Sequence, residues 1–138
     1  MTDLTALSAP SGAREATRIL VVEDDDHIAA ALNYVIGREG LTCDRIGNGA
    51  EALAAIRRIR PDLVLLDIML PDLSGYDIAR AMRSDASLSA IKILMMTARG
   101  SAAERARAMA HGADGFVSKP FDLPGLRAEL RRLLQPGL

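Results

Sequence analysis

The sequence has 138 residues, of which 49% are hydrophobic and 25% charged, and this composition fits one globular domain. Lys and Arg (17) nearly balance Asp and Glu (18), so the formal net charge is −1 and the basic excess of a nucleic-acid-coating protein is absent. Aromatic residues make up only 3% of the chain and tryptophan is absent, which argues against a base-stacking surface.

Residues 1–17 are rich in small and turn-forming residues without hydrophobic periodicity, and they predict a flexible N-terminal tail. They lack the apolar core of a secretory signal, and no run approaches the roughly 18 apolar residues that span a bilayer. We therefore expect a cytoplasmic protein. Cys43 is the only cysteine, which excludes an intrachain disulfide, and we interpret it as a small core residue.

From residue 18 onward, short apolar runs alternate with segments whose apolar residues recur every three or four positions. The runs predict strands buried on both faces, and the periodic segments predict helices. In chain order, strands are predicted at residues 19–22, 41–46, 63–66, 91–96 and 116–117. The helices that follow them have their apolar faces at Ile28, Leu32, Val35 and Ile36; at Leu53 and Ile56; at Ile78, Ala81 and Met82; within the Ala-rich residues 102–110; and at Leu123, Leu126, Leu130 and Leu133.

Five such units predict an α/β domain over residues 18–135, with a parallel sheet covered by helices on both faces and a short C-terminal tail at 136–138. Right-handed crossovers leave few topologies for such a sheet. Ligands of open parallel sheets bind beyond the carboxyl ends of the strands. The residues at those ends are therefore candidate site residues.

Polar side chains follow four of the five predicted strands. Glu23 and Asp24 follow the first strand, Asp67 the third and Thr97 the fourth, and Lys119 lies just beyond the fifth. Parallel strands would bring these groups to one edge of the sheet. Three carboxylates in a partly buried cleft require a cation, and because all the ligands are oxygen atoms, Mg²⁺ is the leading candidate.

A metal, a carboxylate, a hydroxyl and a lysine together suit phosphoryl transfer. Asp67 could be the nucleophile that forms an acyl phosphate, while Mg²⁺ and Lys119 offset charge on the phosphoryl oxygens and Thr97 donates a hydrogen bond to one of them. Each residue taken alone also fits an ordinary role: a helix cap for Thr97 or for one of the acidic residues at 23–26, an Asx-turn for Asp67, solvated surface for Lys119. The functional interpretation depends on finding residues suited to one reaction at the ends of four different strands.

Over residues 18–135 the chain resembles the receiver domains of bacterial two-component response regulators. Five motifs carry the resemblance, in the expected order and spacing: Ile19-Leu20-Val21-Val22-Glu23-Asp24-Asp25, Leu65-Leu66-Asp67-Ile68-Met69-Leu70-Pro71-Asp72, Met96-Thr97-Ala98, Gly112-Ala113-Asp114 and Lys119-Pro120-Phe121. The resemblance implies a flavodoxin-like, doubly wound (βα)5 fold with strand order 2-1-3-4-5.

The resemblance also implies a chemistry for the strand ends. Asp67 would take a phosphoryl group from the phosphohistidine of a histidine kinase or a histidine phosphotransfer protein. Glu23, Asp24, Asp67 and the backbone carbonyl of Met69 would hold Mg²⁺, and Lys119 would contact the phosphate. The domain would thus be a phosphorylation-switched signalling module that assists its own phosphorylation and dephosphorylation, rather than an enzyme with a separate substrate.

Two further features follow from the same resemblance. Thr97 and Phe116 match the hydroxyl and the aromatic residue that move together on phosphorylation, although Phe116 is also compatible with a plain core position. Family members usually have a cis bond before the proline, so we expect one at Lys119–Pro120.

Met69 and Arg99 each lie two residues after a site residue and could obstruct an attacking water. We hypothesise that they set the lifetime of the phosphorylated state and make it long.

The final predicted helix ends near Leu134. If the chain has its natural length, we expect output through protein contacts on the face formed by the fourth helix, fifth strand and fifth helix, without direct binding of nucleic acid or membrane. Transcription-factor receivers often dimerise on this face through charge pairs, and several of those charges are missing here. We therefore expect a monomer or a weak dimer. Gly115, Gly125 and Glu129 occupy the aligned positions and leave Arg105, Arg107 and Asp114 without the expected partners.

Two alternatives remain. The chain could be a receiver fragment of a longer DNA-binding response regulator or of a hybrid kinase. It could also be a phosphatase with an aspartyl nucleophile, but the haloacid-dehalogenase phosphatases need a second Asp two residues after the nucleophile. Met69 occupies that position, which disfavours a phosphatase.

Overall fold

The computed structural model describes residues 17–98 and 100–134, which form five strands and five α-helices in strict alternation. The strands are β1 (Arg18–Val22), β2 (Thr42–Ile46), β3 (Leu63–Asp67), β4 (Lys92–Thr97) and β5 (Gly115–Ser118). The helices are α1 (Asp26–Arg38), α2 (Ala52–Ile59), α3 (Gly75–Ser84), α4 (Ala102–Ala110) and α5 (Leu123–Leu134), and a short 3-10 turn (Ala86–Leu88) precedes β4. Every predicted element is present, with ends shifted by a residue or so.

The five strands form one sheet in the order β2-β1-β3-β4-β5, and all four neighbouring pairs are parallel. The predicted order 2-1-3-4-5 is thus confirmed. Asp67 is the last residue of β3 rather than the residue after it, and it lies opposite Met96 of β4. All carboxyl ends meet at one edge of the sheet, as the site prediction requires.

Alternating strand residues supply two separate hydrophobic cores, one on each face of the sheet. On β1, Ile19 and Val21 pack with α1 and α5, whereas Leu20 and Val22 pack with α2, α3 and α4. All five residues of β3 are buried, which explains why this strand is continuously apolar up to Asp67. Helices therefore cover both faces, as expected of a doubly wound fold.

Local sequence explains where most helices begin and end. The Asp25 carboxylate accepts hydrogen bonds from the backbone N–H groups of His27 and Ile28 and caps α1, as predicted for one of the four acidic residues. Ser101 caps α4, so Thr97 does not serve as its cap. Gly40, with a φ of 78°, ends the segment after α1.

One helix departs from its predicted packing and another agrees with it. Leu123, predicted as part of the apolar face of α5, is 43% exposed as the first residue of that helix, so the buried stripe begins one turn later, at Leu126. In α4, Ala108 is the only buried residue, and this agrees with the weak apolar face seen in its sequence.

Cys43 is half-buried against the core beneath α1, and burial raises the pKa of its thiol to about 11. The thiol is therefore protonated at neutral pH, as suits a packing role. The predicted N-terminal tail lies outside the described residues apart from Thr17, as does the predicted C-terminal tail. Among the helices of the described residues, none has the length and apolar character needed to cross a membrane.

Candidate functional site

Three carboxylates meet at the edge of the sheet where the strands end. Glu23 directly follows β1, Asp24 comes next, and Asp67 ends the neighbouring strand β3. Carboxylate oxygens of the three residues lie within 4.8 Å of one another. Glu23 and Asp67 are 0% and 2% exposed, whereas Asp24 faces solvent. The parallel register thus brings together the acidic residues that the strand ends indicated.

Lys119 bridges the two buried carboxylates. Its Nζ lies 2.9 Å from Glu23 Oε1 and 3.3 Å from Asp67 Oδ2. Burial lowers the pKa of Lys119, but its contacts with Glu23 and Asp67 outweigh that effect and hold the pKa above its usual value. Burial raises the pKa of Glu23, and the hydrogen bonds from Lys119 and from the backbone of Asp25 offset this only in part. One ammonium group therefore leaves a net negative charge in the cleft.

The backbone at the end of β3 fixes the Asp67 side chain. The Met69 N–H donates to Asp67 Oδ1 at 3.0 Å, so one carboxylate oxygen faces this amide and the other faces Lys119. The first residue of α3, Gly75, donates from its N–H to the Ile68 carbonyl. A Cβ at position 75 would stand 2.5 Å from the Asp67 carbonyl oxygen, so only glycine allows α3 to begin this close to the site.

Thr97 ends β4, the strand on the other side of β3, and is 1% exposed. Its carbonyl accepts a hydrogen bond from the Lys119 N–H at 2.7 Å, which ties the ends of β4 and β5 together. The structure therefore puts Thr97 at the same sheet edge as Asp67 and Lys119.

Phe116 lies on β5 opposite Met95 and is 7% exposed, in the core that includes Ala108 of α4. The Arg105 guanidinium lies 6.0 Å from the centre of its ring. Phe116 is thus a core residue in this structure, which is compatible both with a plain packing role and with movement on phosphorylation, and that movement stays a prediction.

Among the remaining predicted features, the Lys119–Pro120 peptide is cis, as expected. The Met69 side chain is 72% exposed, two residues beyond Asp67. Arg99 lies outside the described residues.

Two contacts made by loops near the site have no signal in the sequence. The Asp72 carboxylate accepts hydrogen bonds from the N–H groups of Gly49 and Ala50, which joins the loop after β3 to the loop after β2. Arg45, on β2, donates from Nε to the Glu23 carbonyl. Each contact spans 22 or 23 residues, and no periodic pattern marks either residue.

The donor set fits a hard divalent cation. All three side chains offer oxygen, which Mg²⁺ prefers, and the raised pKa of Glu23 reflects a buried carboxylate that one lysine does not fully compensate. Glu23, Asp24 and Asp67 could hold such an ion. A buried Asp beside a lysine, a hydroxyl and a cation site can accept a phosphoryl group.

Comparison with known proteins gives a consistent result. A family model described as the response regulator receiver domain matches residues 19–131. The DNA-binding response regulator MtrA of Mycolicibacterium smegmatis is 43% identical over 118 residues, which cover 86% of this chain and 50% of that protein. The chain thus spans about half the length of the curated relatives it matches.

Solved structures give the same fold. The chemotaxis response regulator CheY4 of Vibrio cholerae superposes with a TM-score of 0.81 at 28% identity, covering 86% of this chain and 99% of that one. The signal receiver domain of a signal transduction histidine kinase from Syntrophus aciditrophicus gives a TM-score of 0.80 at 30% identity, covering 88% and 92% of the two chains.

Proposed function

The chain belongs to the response regulator receiver domain family, and from that premise we propose that Asp67 accepts a phosphoryl group from a phosphohistidine and thereby switches a protein-binding face. The observation that carries the proposal is the burial of Asp67 between the Met69 amide and the Lys119 ammonium, within 4.8 Å of two further carboxylates. A histidine kinase, a histidine phosphotransfer protein or both would supply the phosphoryl group.

The reaction is a transfer between two side chains. An Asp67 carboxylate oxygen attacks phosphorus, the phosphorus–nitrogen bond of the phosphohistidine breaks, and the donor imidazole leaves with the electron pair of that bond. Oδ2, which faces Lys119, is the candidate nucleophile, because Oδ1 accepts the Met69 N–H. Lys119 offsets the charge that develops on the phosphoryl oxygens, and the Thr97 hydroxyl donates to one of them.

Mg²⁺ is the cofactor that these residues suit. Glu23, Asp24 and Asp67 would hold it, together with the backbone carbonyl of Met69. When bound, the ion would neutralise charge on the phosphoryl oxygens as they approach the buried carboxylates.

The switch in this proposal runs from Thr97 to Phe116. Thr97 is drawn toward the phosphoryl group, and the Phe116 ring fills the space behind it, so that the face formed by α4, β5 and α5 changes shape. Unlike tyrosine, Phe116 has no hydroxyl to offer a partner, so the signal at this position would pass through packing alone.

Existing ion pairs on this face support a monomer or weak dimer. Asp114 Oδ2 lies 2.8 Å from Arg83 Nη2, and Glu129 pairs with Arg132 at 2.8 Å. Charges that could bridge two copies are thus engaged within one chain, and surface pairs contribute little to association individually. In this proposal the domain acts in the cytoplasm through protein contacts and does not itself bind nucleic acid.

A second candidate has its own support. Since the chain spans about half the length of relatives named as DNA-binding response regulators, it could serve as the receiver of a longer protein of that kind. The likeness to the receiver of a histidine kinase supports a hybrid kinase in the same way. In either case Asp67 keeps its role, and reading the gene beyond codon 138 separates these candidates from a stand-alone receiver.

Incubation with a small phosphodonor tests the proposal. Acetyl phosphate with Mg²⁺ should add one phosphoryl group, detected by intact-mass measurement, and Asp67→Asn should abolish the addition. Asp77→Asn is the matched control, because Asp77 is an exposed carboxylate on α3 paired with Arg80. Absence of an adduct with both acetyl phosphate and phosphoramidate, or its persistence in Asp67→Asn, would contradict the assignment of Asp67.

A further inference from the structure

We propose that Arg45 is a positioning residue for the cation site: it fixes the backbone of the acidic loop, defined as residues 23–26, and so holds Glu23 and Asp24 ready for the ion. The inference rests on the proposed Mg²⁺ site and concerns a residue outside the family-like motifs. Arg45 is the penultimate residue of β2, the edge strand, and lies opposite Val21 of β1. From there it reaches across the carboxyl end of β1.

One guanidinium group contacts both ends of the acidic loop. Arg45 Nε donates to the Glu23 carbonyl oxygen at 2.9 Å, and Nη1 lies 2.9 Å from Asp26 Oδ1. The planar arginine fork can make both contacts at once, which the single ammonium of a lysine cannot do in the same geometry. The Arg45 side chain is 34% exposed, whereas the Asp26 side chain is 86% exposed, so the ion pair is open to water and the hydrogen bond to the Glu23 carbonyl is the better shielded contact.

Both backbone polar groups of Glu23 form hydrogen bonds with residues of β2. Its N–H donates to the Ile46 carbonyl at 3.1 Å, and its carbonyl accepts from Arg45. Glu23 Oε2 in turn accepts the Asp25 N–H at 3.0 Å. Asp24 lies between these fixed points with an exposed side chain, so its carboxylate position depends on a backbone that Arg45 anchors.

A pre-ordered loop binds an ion more tightly than a loose one, because the loose loop loses conformational freedom when the ion binds. Removal of the Arg45 contacts should therefore weaken Mg²⁺ binding. The positive charge of Arg45 acts in the opposite direction, since a nearby cation repels Mg²⁺. Loss of the Arg45 contacts should weaken Mg²⁺ binding, whereas loss of its positive charge should strengthen it. A substitution that removes the contacts but keeps the charge separates the two effects.

Arg45→Lys in the full chain is the decisive variant, with Mg²⁺ binding measured by calorimetry at constant ionic strength after treatment with EDTA. We expect the Kd for Mg²⁺ to rise about tenfold, the lower end of the effect typical for partners of metal ligands. Arg45→Met should also bind Mg²⁺ more weakly than the parent, although it removes a positive charge.

The matched control is Arg18→Lys, at the other end of the same strand pair, where Arg18 lies 3.8 Å from Asp44. Its Mg²⁺ affinity should equal that of the parent. Melting temperatures in EDTA should stay close to that of the parent for all variants, whereas amide exchange at residues 24–26 should be faster in Arg45→Lys and in Arg45→Met but unchanged in Arg18→Lys. Such a pattern separates positioning from a general loss of stability.

Parent-like affinity in Arg45→Lys would overturn the inference whatever Arg45→Met does. Tighter binding in Arg45→Met would show that charge, not positioning, is the role of Arg45. A parent protein that does not bind Mg²⁺ would overturn the proposed cation site, and the role of Arg45 with it.

Discussion

Glu23 and Asp67 are buried carboxylates that share the ammonium group of Lys119. Such a group of charges is costly to bury, and its retention at a sheet edge is typical of a functional site rather than of a stabilising one. The Lys119 ammonium compensates part of their negative charge. We therefore expect Glu23, Asp67 and Lys119 to add little to the stability of the fold. Their side-chain positions must then be fixed by contacts with the surrounding loops.

Substitution of Met69 tests the hypothesis that this residue lengthens the lifetime of the phosphorylated state. Its side chain is exposed and its N–H donates to Asp67 Oδ1, and the hypothesis is that the side chain impedes an approaching water. Replacement by the shorter, polar asparagine should make the phosphoryl group on Asp67 hydrolyse faster. Decay of the phosphorylated protein, followed by intact mass in Met69→Asn and in the parent, measures this, and equal half-lives would exclude a steric role for Met69.

Asp72 should make stability depend on acid pH. Hydrogen bonds from the Gly49 and Ala50 N–H groups hold the pKa of Asp72 below its usual value of 3.8. A lowered pKa means that the ionised carboxylate stabilises the fold above the pKa of the unfolded chain, and that this stabilisation is lost as the pH falls through the lower, folded-state value.

We therefore expect Asp72→Asn to be less stable than the parent at pH 7, with the difference shrinking below about pH 4. Urea unfolding at several pH values measures it. Asp77→Asn controls for the loss of one negative charge on an exposed helix position. A stability difference that stays constant with pH would show that the Asp72 contact with the neighbouring loop does not depend on ionisation.

Among the helices, α4 is the one held least by the hydrophobic core, since Ala108 is its only buried residue. Polar and aromatic contacts with Tyr76 of α3 compensate. The Tyr76 hydroxyl lies 3.0 Å from Glu104 Oε1, the Arg107 guanidinium lies 4.5 Å from the ring centre, and the His111 ring centre is 4.7 Å away. Because few apolar contacts hold α4, we expect it to open locally more readily than the other helices.

Tyr76→Phe removes the hydrogen bond to Glu104 and keeps the ring. Amide exchange in α4 should accelerate about fivefold, as expected for the loss of roughly 1 kcal/mol from one hydrogen bond. Exchange measured by mass spectrometry on peptides covering α4 and, for comparison, β3 gives the result. Tyr34→Phe is the control, because Tyr34 is an exposed residue of α1. Unchanged exchange in α4 would mean that the hydroxyl does not hold the helix.

At the level of the whole molecule, the elements and the strand-end site were predictable, whereas the loop contacts were not. Buried strands such as β3 leave a strong apolar pattern, and their parallel order brings Asp67 and Glu23 together without further information. Arg45 contacts Glu23, and Asp72 contacts Gly49, each more than twenty residues away in sequence. Both partners lie in loops, where neither hydrophobic periodicity nor turn-forming residues predict a contact. The strand order itself came from the family resemblance, not from the pattern.

Binding of Mg²⁺ at the acidic cluster, as proposed, should be visible in the global stability of the protein. An ion that binds only the folded chain stabilises it by about 2.7 kcal/mol at a hundredfold excess over its Kd. We therefore expect Mg²⁺ to raise the melting temperature and EDTA to reverse the effect, and Asp24→Asn to reduce the increase. Thermal melts with Mg²⁺ and with Na⁺ at equal ionic strength measure it, and identical melts would argue against a site at the acidic cluster.

Position 75 should accept few substitutions, because Gly75 lies directly against the backbone of Asp67. It makes no side-chain contact, yet a methyl group there would collide with backbone atoms of Asp67 and Ile68, which cannot yield as a flexible side chain would. Any side chain at position 75 must displace the peptide between Asp67 and Ile68. In a saturation-mutagenesis map of signalling, Gly75 should therefore tolerate substitution as poorly as Asp67, the proposed phosphoacceptor.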